Sequence, residues 1–397
     1  MSDGHVARLG DVCAVQNGFA FDGGRFSGTS GTPLIRIRDL KTNAPSLRFD
    51  GPFDPAYVVQ KGDVLVGMDG EFVAYEWQGP ASLLNQRVCR LIVQNSIVDA
   101  GFLRFAVGSH LKKIEDRTSK TTVKHISSRT IQEIHLPLPP LDEQRRIAGR
   151  LRDQLSATDA LRFGVERRLE TIAHVHSEVL ASTFARIHAS AVALGAAVSQ
   201  PGAIADGPFG SHLKTEHYAR SGVRVIRLQN IGSGKFLDHD RAFVTREHAD
   251  TLTRHTALEG DVVVAALGDG ARPAGRACQV PDIGPALVKA DCFRVRAAGT
   301  PLDPEFLVWF LNSPGTQATL AAQMRGATRP RVTLAMLKAF TIPLPPIDEQ
   351  RRIADSLREQ LTEIDRAKAA LETQRKAIVA LPAALLREAF GPAPRAS

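Results

Sequence analysis

Apolar side chains recur at steps of three and four along two long stretches of the chain. The first runs through Ile147, Leu151, Leu155, Leu161, Val165, Leu169, Ile172, Val179 and Phe184. The second runs through Ile353, Leu357, Leu361, Ile364, Leu371, Ile378, Leu385 and Phe390. One apolar stripe, with charged residues on the other faces, predicts an amphipathic helix in each stretch. Roughly 40 residues at about 1.5 Å per residue predict a rod of about 60 Å. Such a rod needs a partner, and the matched stripe in the same chain is the natural one, in a coiled-coil pair. An antiparallel pair is expected, because a pseudo-twofold axis then places the domains that precede the two helices at opposite ends. The competing arrangement is a coiled coil with another chain. Pro382 is expected to kink or end the second helix.

Elsewhere the pattern changes to short β-branched runs punctuated by Gly, Asp and Pro. These predict compact α+β domains with a curled sheet. The runs come in matching order. Ile35-Arg36-Ile37-Arg38-Asp39-Leu40 resembles Ile226-Arg227-Leu228-Gln229-Asn230-Ile231. Gly62-Asp63-Val64-Leu65-Val66 matches Gly260-Asp261-Val262-Val263-Val264, and Phe102-Leu103-Arg104-Phe105 matches Phe306-Leu307-Val308-Trp309.

A stronger match explains that order. LPLPPLDEQRRIAGRLRDQL begins at Leu136 and IPLPPIDEQRRIADSLREQL begins at Ile342, with 15 of 20 positions identical and an offset of 206 residues. The chain is a tandem duplication with two similar halves. Each copy opens with a stiff proline arm (Pro137, Pro139, Pro140; Pro343, Pro345, Pro346), because proline locks φ and pushes the preceding residue to extended geometry. Asp142 and Glu143, like Asp348 and Glu349, then stand where a helix N-terminus favours acids. The expected divisions are a domain over 1–140, a helical spacer over 141–190, a second domain over 191–346, a second spacer over 347–392 and a tail over 393–397.

Composition narrows the classes. No apolar run approaches the roughly 18–20 residues that span a bilayer, and the basic-then-apolar start of a secretion signal is missing, so a soluble cytoplasmic protein is expected. Net charge is +8. The excess lies in 1–140 (16 basic, 14 acidic) and 191–346 (17 basic, 13 acidic), with +1 in each remaining segment. That balance permits nucleic-acid binding without requiring it. Cys13, Cys89, Cys278 and Cys292 form no CxxC pair and no zinc spacing, and read as small core residues. His174 and His176 read as solvated or seam histidines and not as metal ligands.

The double PLPPxxEQRRI signature, each copy followed by a long amphipathic helix and preceded by a domain of similar size, resembles the specificity subunit of type I restriction-modification systems. LGDVCAVQNGFAF from Leu9, SKTTVKHIS from Ser119, DGPFGSHLK from Asp206 and VRVIRLQNI from Val223 carry the same likeness. The resemblance spans nearly the whole chain. It implies two target-recognition domains, each reading one half of a bipartite duplex DNA site, with two helical regions as the spacer. It implies two methyltransferase subunits as partners and, for restriction, two motor-nuclease subunits. It implies no catalysis by this chain. The two domains differ greatly, so the half-sites should differ and the full target should be asymmetric.

The chemistry fits an inert reader. A methyltransferase needs a Gly-rich turn for the methyl donor and an Asn/Asp-Pro-Pro-aromatic loop, and the sequence has neither. It has no Walker A loop and no convincing nuclease triad. No cofactor and no metal are expected. DNA contact then falls to polar and basic side chains on loops. The candidates in the first domain are Arg36, Arg38, Lys41, Lys120, Thr121, Thr122 and Lys124. Those in the second are Lys214, Arg227, Gln229, Asn230, Lys235, Arg325, Thr328, Arg329 and Arg331. The loops Ser119–His125 and Arg325–Arg331, both just before a proline arm, are the best clusters. The first is approached by Lys112 and Lys113, whereas the second relies on arginines. The glycine turns Gln16–Phe21 and Asp206–Lys214 either shape a DNA-facing loop or are plain turns. Arg145, Arg146, Arg351 and Arg352 are candidates for docking the modification subunits, or for salt bridges to the acids beside them. The alternative for the whole chain is a coiled-coil scaffold between proteins that does not touch nucleic acid.

Overall fold

The computed structural model of the chain describes residues 5–93, 97–117, 125–208, 210–269, 272–324 and 330–390. They form two compact units. One comprises Met1–Glu166 with Thr373–Ser397, and the other Arg167–Glu372. Each unit therefore takes the domain before a proline arm, the start of the helix that follows it, and the end of the other long helix.

The units share one topology. In the first, an antiparallel four-stranded sheet runs in the order Cys13–Asn17, Val88–Val93, Val64–Gly67, Ala74–Glu76. In the second, Ile204–Asp206, Cys292–Val295, Val262–Ala265 and Ala277–Gln279 repeat that order. Val64–Gly67 and Val262–Ala265 are buried along their whole length, which is why both read as unbroken apolar runs. A five-stranded sheet is duplicated too: Phe26–Ser27, Leu47–Phe49, Thr32–Ile35, Ser82–Leu84, Val58–Val59 against Tyr218–Ala219, Ala242–Val244, Val223–Ile226, Ala286–Val288, Thr256–Ala257. Each contains a single parallel pair, Leu34 opposite Leu83 and Val225 opposite Leu287.

The proline arms are extended, as their φ restriction requires. His135–Leu138 pairs with His5–Arg8, and Thr341–Pro343 pairs with Ala191–Ala193. The arm is then locked to the domain by a residue that reads as polar surface in the sequence. Gln144 is buried, and its amide donates to the carbonyls of Ile97 (3.0 Å) and Pro139 (2.8 Å). Its carbonyl accepts from the Asp99 N–H at 2.9 Å. Asp99 in turn accepts from the N–H of Phe102 and so caps the helix Ala100–Arg117. The second unit repeats the device. Gln350 donates to Pro301 (2.9 Å) and Pro345 (2.8 Å) and accepts from Asp303 (2.8 Å), the N-cap of the helix Pro304–Asn312.

Both long helices form, over Leu141–Ala185 and Ile347–Phe390. In the first unit, Ala148, Leu151 and Leu155 join one core with Leu385, Leu386 and Phe390, and the Phe102 ring meets the Phe390 ring edge-on at 5.5 Å. In the second, Val179, Leu180 and Phe184 cluster with Ile353, Leu357, Leu361 and Ile364, and Phe184 meets Phe306 at the same 5.5 Å. In each unit the beginning of one helix thus lies against the end of the other, so the pairing is antiparallel. His176 lies near Asp365 and Lys368, and half-burial lowers its pKa. It is a seam residue.

Two details of the helices differ from expectation. The second helix does not end at Pro382; it runs on to Phe390. Loss of one backbone hydrogen bond at proline is offset here by the burial of Leu385, Leu386, Ala389 and Phe390 in the first unit's core. Leu161 is not in the stripe but 52% exposed, while Thr158 is 5% exposed and donates its hydroxyl to the Gln154 carbonyl at 2.8 Å. A threonine satisfied within its own helix fills the seam as a small apolar residue would.

All four cysteines are free and buried, and burial pushes each thiol up to about 12. At pH 8 the folded protein should therefore resist alkylation by iodoacetamide, and all four thiols should react once denaturant unfolds it. Labelling of any cysteine at its free-thiol rate in the native state would contradict this packing.

Candidate nucleic-acid interface

In both units a strand of the parallel pair runs straight into a one-turn helix, Ile37–Asp39 or Leu228–Asn230. The residue three positions after the arginine holds each turn. Asp39 accepts from the Arg36 N–H at 2.8 Å, and Asn230 accepts from the Arg227 N–H at 2.9 Å. Asn230 also donates to the carbonyls of Leu237 (3.0 Å) and His239 (2.8 Å), and none of it is exposed. Its amide is fully engaged within the loop, so the expectation that it contacts a base is corrected: it shapes the turn. The three-residue spacing is a capping spacing, and that signal was available in the sequence.

The neighbouring candidates sit at the surface of these turns. Arg36 bonds Ser46 at 2.6 Å and pairs with Asp39 at 3.5 Å. Arg38 is exposed and holds no ion pair among the described residues. Lys41 bonds Glu71 at 2.9 Å, which ties the first turn to the loop 67–73. In that loop Asp69 pairs with Arg87 (2.8 Å) and His125 (2.6 Å). His125 is the last residue of the basic loop before the first proline arm. The structure thus brings the turn 36–41, the loop 67–73 and the base of the loop 119–125 to one edge of the first unit.

The second unit makes the same assembly with different chemistry. Arg227 pairs with Asp240 at 2.5 Å, and Gln229 bonds the same carboxylate. The Gln229 amide and the Arg227 guanidinium hold that carboxyl below the usual carboxylate range. Leu267 bridges to Arg331, the Val332 N–H donates to Ala266 at 2.8 Å, and Arg331 pairs with Asp291 at 2.9 Å. The turn 228–231 and the loop 267–273 are joined by Arg276, which is wholly buried and donates to Leu228, Ile231, Leu267 and Pro273. Lys235 is exposed, on the loop that follows the turn. Lys214 is exposed beside Glu216 at 3.7 Å, and no contact joins it to this edge among the described residues.

Lys120, Thr121, Thr122 and Lys124, and Arg325, Thr328 and Arg329, lie outside the described residues. The two glycine turns have a structural cause. A Cβ on Gly18 would lie 2.0 Å from the Asn85 carbonyl oxygen, and one on Gly207 would lie 2.1 Å from the Lys289 carbonyl. Only glycine lets either strand cross so close to the neighbouring backbone. At the helix starts, Arg145 pairs with Asp142 (3.5 Å), Arg146 with Glu143 (2.6 Å) and Arg351 with Asp348 (3.6 Å), all exposed. Arg352 is exposed and holds no ion pair among the described residues. No group of three or more His, Cys, Asp or Glu side chains among the described residues could hold a metal ion. No helix among them is long and apolar enough to cross a membrane.

Two copies of one α+β scaffold, with divergent polar loops at corresponding edges and antiparallel helices, define a duplicated recognition protein. The type I restriction modification DNA specificity domain matches residues 1–171 and 292–379. The chain is similar to the type I restriction enzyme EcoBI specificity subunit of Escherichia coli, 30% identical over 386 residues, covering 89% of this chain and 80% of that one. It is also similar to the MjaVIII specificity subunit of Methanocaldococcus jannaschii, 23% identical over 340 residues, covering 82% and 79%. A solved structure concerned with complex assembly and conformational transition of the type I R-M system shares the fold, with a TM-score of 0.76 at 18% identity over 98% of both chains. The HsdS subunit from Thermoanaerobacter tengcongensis shares it with a TM-score of 0.60 at 17% identity, over 98% of this chain and 97% of that one. The chain belongs to the family of type I restriction-modification DNA specificity subunits.

Proposed function

We propose that this chain reads an asymmetric, bipartite duplex DNA site, one half with each unit, and holds the two readings at a fixed gap through its paired helices. The observation that carries this is the repeated scaffold with unlike edges: Lys41, Glu71 and Asp69 on one, and Arg227, Gln229, Asp240 and Arg331 on the other. A common frame with different side chains supports two readers of two different sequences. Arg36, Arg38, Lys41, Arg227, Gln229, Lys235 and Arg331 are the described contact candidates. Lys120, Thr121, Thr122, Lys124, Lys214, Arg325, Thr328 and Arg329 remain candidates from the sequence. Docking half-sites on one face of the duplex requires a spacing of about one helical turn, roughly 34 Å, or a multiple of it.

In this reading the chain performs no chemistry and takes no cofactor. It acts in the cytoplasm, where it brings two methyltransferase subunits, and two motor-nuclease subunits where the system restricts, to the bound site. The exposed start of each long helix, with Arg145, Arg146, Arg351 and Arg352, is the proposed docking face for the methyltransferase subunits. The surface ion pairs there are individually weak, so a partner carboxylate can replace the local one at little cost.

The discriminating test is combined alanine substitution of Lys120, Lys124, Arg329 and Arg331. Losing four phosphate contacts should flatten the dependence of log affinity on log salt by roughly 3 to 4. Duplex binding measured from 50 to 200 mM salt reads this directly. An unaltered slope in the folded variant would favour the alternative, a protein scaffold that does not touch DNA.

A further inference from the structure

Four of the five N–H donors of the Arg276 guanidinium reach main-chain carbonyls. Nε reaches Ile231 at 2.7 Å, Nη1 reaches Leu267 and Pro273 at 2.9 Å each, and Nη2 reaches Leu228 at 2.9 Å. A carboxylate, that of Asp269, stands 3.7 Å from Nη2. Its side chain is 1% exposed. Burying a cation is costly, and here that cost is met by charge-assisted bonds to neutral oxygens and not by a close ion pair. The carbonyls belong to two loops that are 36 or more residues apart in sequence, and among the described residues no strand ladder joins them. One, the turn 228–231, carries Gln229. The other, the loop 267–273, leads through the Leu267 bridge to Arg331.

Among the described residues of the first unit, no buried arginine joins the corresponding turn and loop. Its turn and loop are held by the exposed pair Lys41–Glu71, at 2.9 Å and 65% and 66% exposed. The residue just before its matching strand Ala74–Glu76 is Val73, where the second unit has Arg276 before Ala277–Gln279.

We propose that Arg276 is a specificity-positioning residue of the second unit: its buried fork fixes the turn 228–231 against the loop 267–273 and so sets where Gln229 and Arg331 meet the DNA. This rests on the DNA-reading function proposed above. The planar fork matters more than the charge, because four carbonyls in a fixed fan match guanidinium geometry and an ammonium cannot serve all of them. The first unit, tied by a solvent-exposed ion pair, holds its loops more loosely as salt rises.

The test uses the full chain with Arg276→Lys, and separately Pro273→Gly, which keeps the cation but frees the Pro273 carbonyl from its fixed place in the fan. Each protein selects from a duplex DNA pool with a randomised stretch of about 25 base pairs, and bound sequences are read out. The wild type should enrich two half-sites. Both variants should lose roughly tenfold in base preference at positions of one half-site, the order of one bidentate base contact. The other half-site, the gap and the salt slope should not change. A purely structural role would weaken binding to every sequence alike. If Arg276→Lys fails to fold, Pro273→Gly decides the matter alone. Full base preference at both half-sites in a folded variant, or equal loss at both, overturns the proposal. A wild type that enriches no sequence overturns the DNA-reading function instead, so the two failures are distinct.

Discussion

Gln144→Ala should destabilise the first unit by about 3 kcal/mol, and Gln350→Ala the second by a similar amount, because each leaves buried main-chain groups without partners. The Gln144 change orphans the Asp99 N–H and removes donors from the carbonyls of Ile97 and Pro139. The Asp99 cap of the helix Ala100–Arg117 also loses its anchor. With each unit near 200 residues, a loss of that size lowers the melting temperature by about 6–12 °C. Differential scanning calorimetry of the two single variants reads it. Glutamate at the same position should do at least as badly, since it keeps an acceptor for Asp99 but turns the two carbonyl contacts into repulsions. Wild-type melting in Gln144→Ala would show that these hydrogen bonds contribute nothing net.

The glutamine also marks what the sequence could and could not reveal. The helical stripe was legible because burial on one face imposes a period, and Leu151, Leu155, Leu357 and Leu361 obey it. The duplicated topology was legible because Val64–Gly67 and Val262–Ala265 keep the same β-branched run after Gly-Asp. Gln144 was not legible as a core residue, since glutamine mostly faces water. Yet the copies already differ nearby, at Gly149 against Asp355 and Arg150 against Ser356, while the glutamine is identical. The same identity extends to the exposed neighbours Asp142, Arg145 and Arg146, so it does not by itself single out the buried glutamine. Asn230 did carry a signal, in its capping distance from Arg227. Arg276 carried none. Two of its four carbonyl partners, Leu228 and Ile231, are more than 40 residues away in sequence, and nothing local to ARPAGR tells a buried arginine from a solvated one.

Lengthening both helices by one turn should change the preferred gap between the half-sites and leave the half-sites themselves alone. Each long helix serves both units, with Glu166 and Glu372 the last residues before the change of unit. The insertion therefore belongs after both residues. An insert in one helix only would set the lengthened helix against an unaltered partner whose two ends are packed in the same cores. Four residues add about 6 Å and turn the helix by about 40° beyond a full revolution, which nearly preserves the apolar stripe. At about 3.4 Å per base pair, the gap should grow by one to two base pairs. On the original gap, one unit would no longer meet its half-site in register. Losing a half-site removes most of the margin between specific and non-specific binding, which is at least about 4 kcal/mol or roughly a thousandfold. Selection from a duplex pool with variable gap lengths separates the outcomes. Retention of the original gap by a folded, helix-extended protein would remove the helices from any role in measuring distance. A change in the bases preferred within the half-sites would mean that the inserts act by distorting the recognition loops. The prediction is sharp because Phe102 against Phe390 and Phe306 against Phe184 each fix the end of one long helix to a domain. An insert beyond both grips can alter separation without touching the turn 36–41, the turn 228–231 or the loops that face them.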